Sequence, residues 1–289
     1  MVTIENEMLT IDLMPKGAEL QSIFHKMHNI TYLWDGDPDY WSKRSPVLFP
    51  IVGTLKNDTF FYEGRDYHLG RHGFARDMVF EIEKKSQSEA IFLLSDSEQS
   101  LEHFPFQFEL RIKYSVEKNR LSVEYIVKNP SEKLIYFSVG GHPAFKVPLI
   151  PGTKYSDYYL QFNKNEPLSR WPITPEGLIE QKPVAVAVDS NILPLTHELF
   201  YKDALVFKHL KSSKVSLKSE KTGHGFDFDF SGFSFLGLWA AKNANFVCIE
   251  PWCGIADNRE TNQQIEDKEG INKLSPDASF ARSWNVDFY

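Results

Sequence analysis

Apolar and polar residues alternate over long stretches of the chain. Phe106, Phe108, Leu110, Ile112, Tyr114 and Val116 are each followed by a more polar neighbour. Glu117-Lys118-Asn119-Arg120 interrupts the pattern, and Leu121, Val123, Tyr125 and Val127 resume it. Period-two alternation around a polar turn predicts an antiparallel hairpin with one buried face. Asn129-Pro130-Ser131 ends that unit, and another strand is expected over 134–139. Phe226, Phe228 and Phe230 alternate with Asp227 and Asp229. Segments 9–13 and 20–24 form a further pair.

Helical signals are brief. Segment 97–104 has room for two turns before Pro105, and 197–203 for a short helix after Pro194. The longest irregular stretch is 168–194, with Pro172, Pro175, Pro183 and Pro194, and reads as a surface excursion. Many short strands, with almost no strand–helix–strand alternation, predict an all-β fold: a large, mostly antiparallel β-sandwich. No repeat or linker divides the chain, so a single domain is expected over 1–289.

Composition narrows the partners. The 289 residues carry a net charge of −7 and no long basic run, which disfavours nucleic acid and anionic membranes. The first residues lack a basic and then apolar leader, and the apolar run near 233–241 is too short to span a bilayer. The only two cysteines, Cys248 and Cys253, read as small buried hydrophobes; with no disulfide framework, a reducing cytoplasm is expected. A monomer and a homodimer both fit.

Two ionisable residues stand alone at the ends of apolar runs, each before a proline. His142 follows Phe137-Ser138-Val139-Gly140-Gly141, and Glu250 follows Phe246-Val247-Cys248-Ile249. A proline holds its predecessor extended and cannot donate to a ladder, so both side chains are expected where a sheet stops and a pocket begins. The Gly140-Gly141 pair lets backbone or ligand approach closely. An imidazole and a partly buried carboxyl facing one cavity make an acid/base pair. Trp252, two residues beyond Glu250, shares its face in extended backbone and offers an aromatic surface to a sugar ring. Arg71, His72 and Arg76 lie around Gly70 and Gly73 in a donor-rich loop suited to hydroxyls, a carboxylate or a phosphate. Metal-ligand spacing is not evident: His25 and His28 lie three apart without a helix, and His224, Asp227 and Asp229 fall on an exposed strand face. No nucleotide-binding or serine-nucleophile motif is present.

Four segments together resemble the aldose 1-epimerase (galactose mutarotase-like) family, closest to its bacterial LacX-like branch. They are Pro46-Val47-Leu48-Phe49-Pro50-Ile51-Val52-Gly53, His72-Gly73-Phe74-Ala75-Arg76, Gly140-Gly141-His142-Pro143-Ala144-Phe145 and Ile249-Glu250-Pro251-Trp252-Cys253-Gly254-Ile255-Ala256-Asp257. The resemblance implies a β-sandwich with an open cleft. It implies His142 as general acid on the sugar ring oxygen and Glu250 as base on the C1 hydroxyl, across one sugar-sized site. It implies His72 and Asp203 as sugar-binding residues, and no cofactor. The expected ligand is a monosaccharide, an aldohexose or a hexose phosphate. Thr54 stands where many family members carry an arginine, so that sugar contact is expected to be either missing or supplied elsewhere, by Arg76 or Arg44.

Overall fold

The computed structural model describes residues 1–187 and 190–289. Strands dominate it. A nine-stranded antiparallel sheet runs in the spatial order Ile192–Pro194, Tyr158–Phe162, Lys214–Ser219, Thr222–Asp229, Ser279–Phe288, Arg120–Lys128, Glu109–Glu117, Glu89–Ser95 and Glu81–Lys85. The expected hairpin lies at its centre, with Leu110 opposite Val127, Ile112 opposite Tyr125 and Tyr114 opposite Val123. These six side chains are buried, which accounts for the alternation that predicted them.

The second large sheet has the order Val184–Ala187, Leu168–Trp171, Leu205–Lys208, Phe235–Trp239, Phe246–Cys253, Val139–Gly141 and Val47–Leu48, with Ala144–Lys146 also paired to Phe246–Cys253. All eight residues of Phe246–Cys253 are buried. One face of this sheet packs against the main core; the other carries a smaller apolar cluster of Leu48, Val52, Val206, Phe235, Trp252 and Ile255 among others. A four-stranded sheet of Val2–Glu5, Leu9–Met14, Glu19–His25 and Ile30–Thr31 adds the expected N-terminal pair.

Two local expectations change. Segment 168–194 is irregular only in part among the described residues: Leu168–Trp171 and Val184–Ala187 extend the second sheet, and Ile192–Pro194 edges the first. Its prolines hid the strands, because proline is tolerated at sheet edges and strand ends. The helix expected over 197–203 is a 3₁₀ turn at His197–Phe200, and Asp203 beyond it adopts φ 83°. The helix expected at 97–104 is present as Glu98–His103, with Ser97 and Ser100 forming a capping box.

Candidate active site

Proline explains how the sheet opens. The strand Phe246–Cys253 runs straight through Pro251, so the sheet does not stop at Glu250 as the sequence suggested. It is the partner that leaves. Val139 and Gly140 pair with Cys253 and Trp252, and Ala144 resumes opposite Cys248. Between them Gly141-His142-Pro143 departs from the ladder, held by one bond from Ile249 N–H to the Pro143 carbonyl. Alternate residues of a strand address the same neighbour, so Pro251 lacks its N–H on the side where that partner is displaced. His142 is thereby set beside Glu250 with no ladder bond lost.

The two side chains touch. Nε2 of His142 lies 3.2 Å from Oε2 of Glu250, without the alignment of a hydrogen bond. They share one wall of the cleft rather than opposite sides of it. His142 is 8% and Glu250 1% exposed. Burial pushes the His142 imidazole down to about 3, with Arg71 and Arg76 adding to the effect. Burial also pushes the Glu250 carboxyl well up, against the pull of Arg71. Each group therefore resists carrying a charge alone.

Around them lies a cleft of about 490 Å³, lined among others by Trp41, Arg71, His72, Arg76, Asp203 and Trp252. His72, at φ 70°, accepts the Gly53 N–H on Nδ1 at 3.1 Å, so its neutral ring carries the proton on Nε2. Burial and the neighbouring His142 keep that ring neutral by lowering its pKa well below the ordinary value. Arg76 donates to the Arg71 carbonyl at 2.9 Å. Arg71 reaches across to Asp203, Nη2 to Oδ1 at 3.8 Å. The six site residues named from sequence thus converge on one cleft. Arg44 does not: its side chain donates to the Gln21 carbonyl and lies outside the lining. Thr54 packs against Gly177, where an added Cβ would lie 2.5 Å from its Oγ1.

Trp252 is shaped by glycines on both neighbouring strands. A Cβ on Gly140 would lie 2.7 Å from its ring, and one on Gly237 would lie 2.6 Å away. Gly140 therefore accommodates the indole rather than a ligand, and Gly141 accommodates Tyr125, whose hydroxyl would be 2.5 Å from an added Cβ. Sequence reasoning left out Trp41 and Trp239, whose rings lie 4.9 and 5.7 Å from that of His142. It also left out Lys242, and Ile173 and Ile179 from the stretch read as a surface excursion. Those segments carry no local motif; Trp239 and Lys242 reach the cleft from the end of the strand Phe235–Trp239 and the turn after it, and Ile173 and Ile179 from the connection between Leu168–Trp171 and Val184–Ala187.

An antiparallel sandwich whose second sheet carries an imidazole and a carboxyl at the floor of an open cleft is a galactose mutarotase-like architecture, as its solved relatives show. A galactose mutarotase related enzyme from Lactobacillus acidophilus is 35% identical and superimposes with a TM-score of 0.95, covering 100% of this chain and 97% of that one. A galactose mutarotase-like protein from Lactobacillus casei is 32% identical, with a TM-score of 0.94 and complete coverage of both chains. The chain belongs to the aldose 1-epimerase family, whose profile matches residues 1–266. The chromosomal LacX protein of Lactococcus lactis subsp. lactis is 35% identical over 294 aligned positions, covering 99% of this chain and 98% of LacX.

Proposed function

We propose that the protein interconverts the α and β anomers of an aldose by acid/base ring opening and closure at His142 and Glu250. The observation that carries this reading is their 3.2 Å contact on the cleft floor. The two oxygens that exchange protons in a hemiacetal share one carbon, so an acid and a base side by side reach both. Glu250 takes the proton of the C1 hydroxyl as His142 gives one to the ring oxygen. The C1–ring oxygen bond breaks, C1 becomes an aldehyde, and rotation about C1–C2 presents its other face. Closure with the proton transfers reversed gives the other anomer. The pair starts and ends with one shared proton, and no cofactor enters the balance. His72, through Nε2–H, together with Arg76 and Asp203, holds sugar oxygens; Trp252 with Trp41 and Trp239 supplies apolar surface for ring C–H groups.

A phosphorylated aldose is the second reading, favoured by Arg71, Arg76 and Lys242 along one cleft. The test is exchange NMR or polarimetry on freshly dissolved α-glucose, α-galactose and glucose 6-phosphate. Accelerated anomer exchange is expected on at least one of them. Binding without acceleration on any aldose would make this a carbohydrate-binding protein instead.

A further inference from the structure

Cys248 precedes Glu250 by two residues on the strand Phe246–Cys253, so both side chains leave the sheet on the same face. It lies behind the proposed acid/base pair, fully buried, and the anomer exchange makes no use of it. One ligand-type atom from each of His142, Cys248 and Glu250 falls within 4.8 Å of the others, the one such cluster among the described residues. The imidazole–carboxylate edge is already 3.2 Å. Two ligands bound tetrahedrally to zinc at ~2.0–2.1 Å stand about 3.3 Å apart, so this edge needs no adjustment. Oε2 of Glu250 and Nδ1 of His142 are buried and make no hydrogen bond. Unsatisfied polar atoms at this depth are costly, and a ligand that engages the carboxylate oxygen removes part of that cost.

We propose that Cys248, His142 and Glu250 form a binding site for a thiophilic divalent cation of the Zn²⁺ type, which blocks the cleft floor when it is filled. Three arguments select the ligand. A sulfur, a nitrogen and a carboxylate oxygen form a borderline-soft set that suits zinc and disfavours Mg²⁺ and Ca²⁺, which require oxygen. A dipositive ion with one thiolate, one carboxylate and one neutral imidazole is electrically neutral, as a buried site demands. His142 and Glu250 line the cleft while Cys248 does not, so the ion's open coordination position faces the sugar site. Binding releases two protons, one from the thiol and the one shared by the pair. Arg71 and Arg76 oppose the incoming cation, but Arg71 is partly engaged by Asp203, so affinity depends strongly on the thiolate. Only the inhibitory consequence rests on the proposed anomer exchange; the binding itself does not.

The experiment titrates metal-free protein with Co²⁺, followed by absorption, and with Zn²⁺, followed by calorimetry. Wild type is expected to show a thiolate-to-cobalt charge-transfer band and tight, stoichiometric zinc binding. Zn²⁺ is expected to slow anomer exchange, and EDTA to restore it. Cys248→Ala should lose the band and weaken zinc binding by more than the roughly 10–100-fold that a merely supporting residue costs. The same variant should keep its basal exchange rate and lose zinc inhibition. Cys248→Ser, which preserves the buried volume, should behave likewise if the alanine variant fails to fold. Absence of the band in wild type at saturating cobalt, or equal zinc affinity in wild type and both variants, would overturn the site. If no aldose is turned over but the band appears and depends on Cys248, the anomer-exchange reading fails and the metal site stands.

Discussion

At the residue scale the molecule turns on two groups that burial drives toward neutrality in opposite directions. Adding a second proton to the pair, or removing its only one, leaves an uncompensated charge 3.2 Å from a partner unable to answer it. The proposed exchange needs exactly one proton between them, so its rate is expected to be flat as pH falls through 6.5, the ordinary imidazole value, because burial carries His142 down to about 3. The limb on the alkaline side is displaced upward, since burial raises Glu250 well above the usual carboxylate range. Rates of α-to-β conversion measured across pH with a chelator present check this; a half-loss of rate centred at 6.5 would contradict it. His142→Ala and Glu250→Gln are each expected to lower the enzymatic rate by about 10²–10⁴-fold, the usual worth of one positioned acid or base. His72 was legible as a member of a donor-rich loop and, through the family resemblance, as a sugar-binding residue. Its tautomer, set by the Gly53 N–H across the cleft wall, was not.

At the scale of elements, the strand Phe246–Cys253 organises the site and its neighbours make room for it. Gly237 faces Glu250 in register, and a Cβ there would press 2.6 Å from Trp252 and 3.3 Å from the Glu250 Cβ. Gly237→Ala is therefore expected to displace the indole and lower kcat/KM at least as much as it lowers stability, measured by kinetics beside urea denaturation. The loop that follows the strand is fixed by a buried ion pair. Lys268 Nζ lies 2.6 Å from Asp257, both side chains are 3% exposed, and Asp257 also accepts the Lys56 N–H. Removing one partner of such a pair leaves a buried charge alone, so Lys268→Met is expected to cost about 3–5 kcal/mol in urea or thermal unfolding. The strands of segment 168–194 were illegible for a reason the edges make clear. Val184–Ala187 and Ile192–Pro194 are edge strands, each with one neighbour, and Leu168–Trp171 is a four-residue strand that ends at Pro172; short strands beside four prolines keep little periodicity and read as loop.

Over the whole molecule, charge and site have opposite signs. The chain carries a net −7, yet Arg71, Arg76 and Lys242 gather along the cleft. Side chains at this spacing create a local field that outlasts the distant net charge only within about a Debye length, ~10 Å at moderate salt. If a hexose phosphate is the substrate, its KM is expected to rise with ionic strength while the KM of a neutral aldose stays level. Equal salt dependence for both sugars would remove the phosphate reading. The division between what sequence and tertiary structure each decide follows from the range of the forces involved. Alternation is a local consequence of burying one face of a sheet, so the central hairpin, the N-terminal pair and the all-β class were present in the chain order itself. The two pre-proline residues were visible for the same reason, each an ionisable group at the end of an apolar run. Their contact is not local: 108 positions separate them, and only the departure of Gly141-His142-Pro143 from the ladder beside Pro251 places the imidazole on the carboxyl. The same packing turned Cys248 from an ordinary core residue into a third ligand-type atom, because a strand's alternation fixes which face a side chain takes, while the sheet around it decides what waits there.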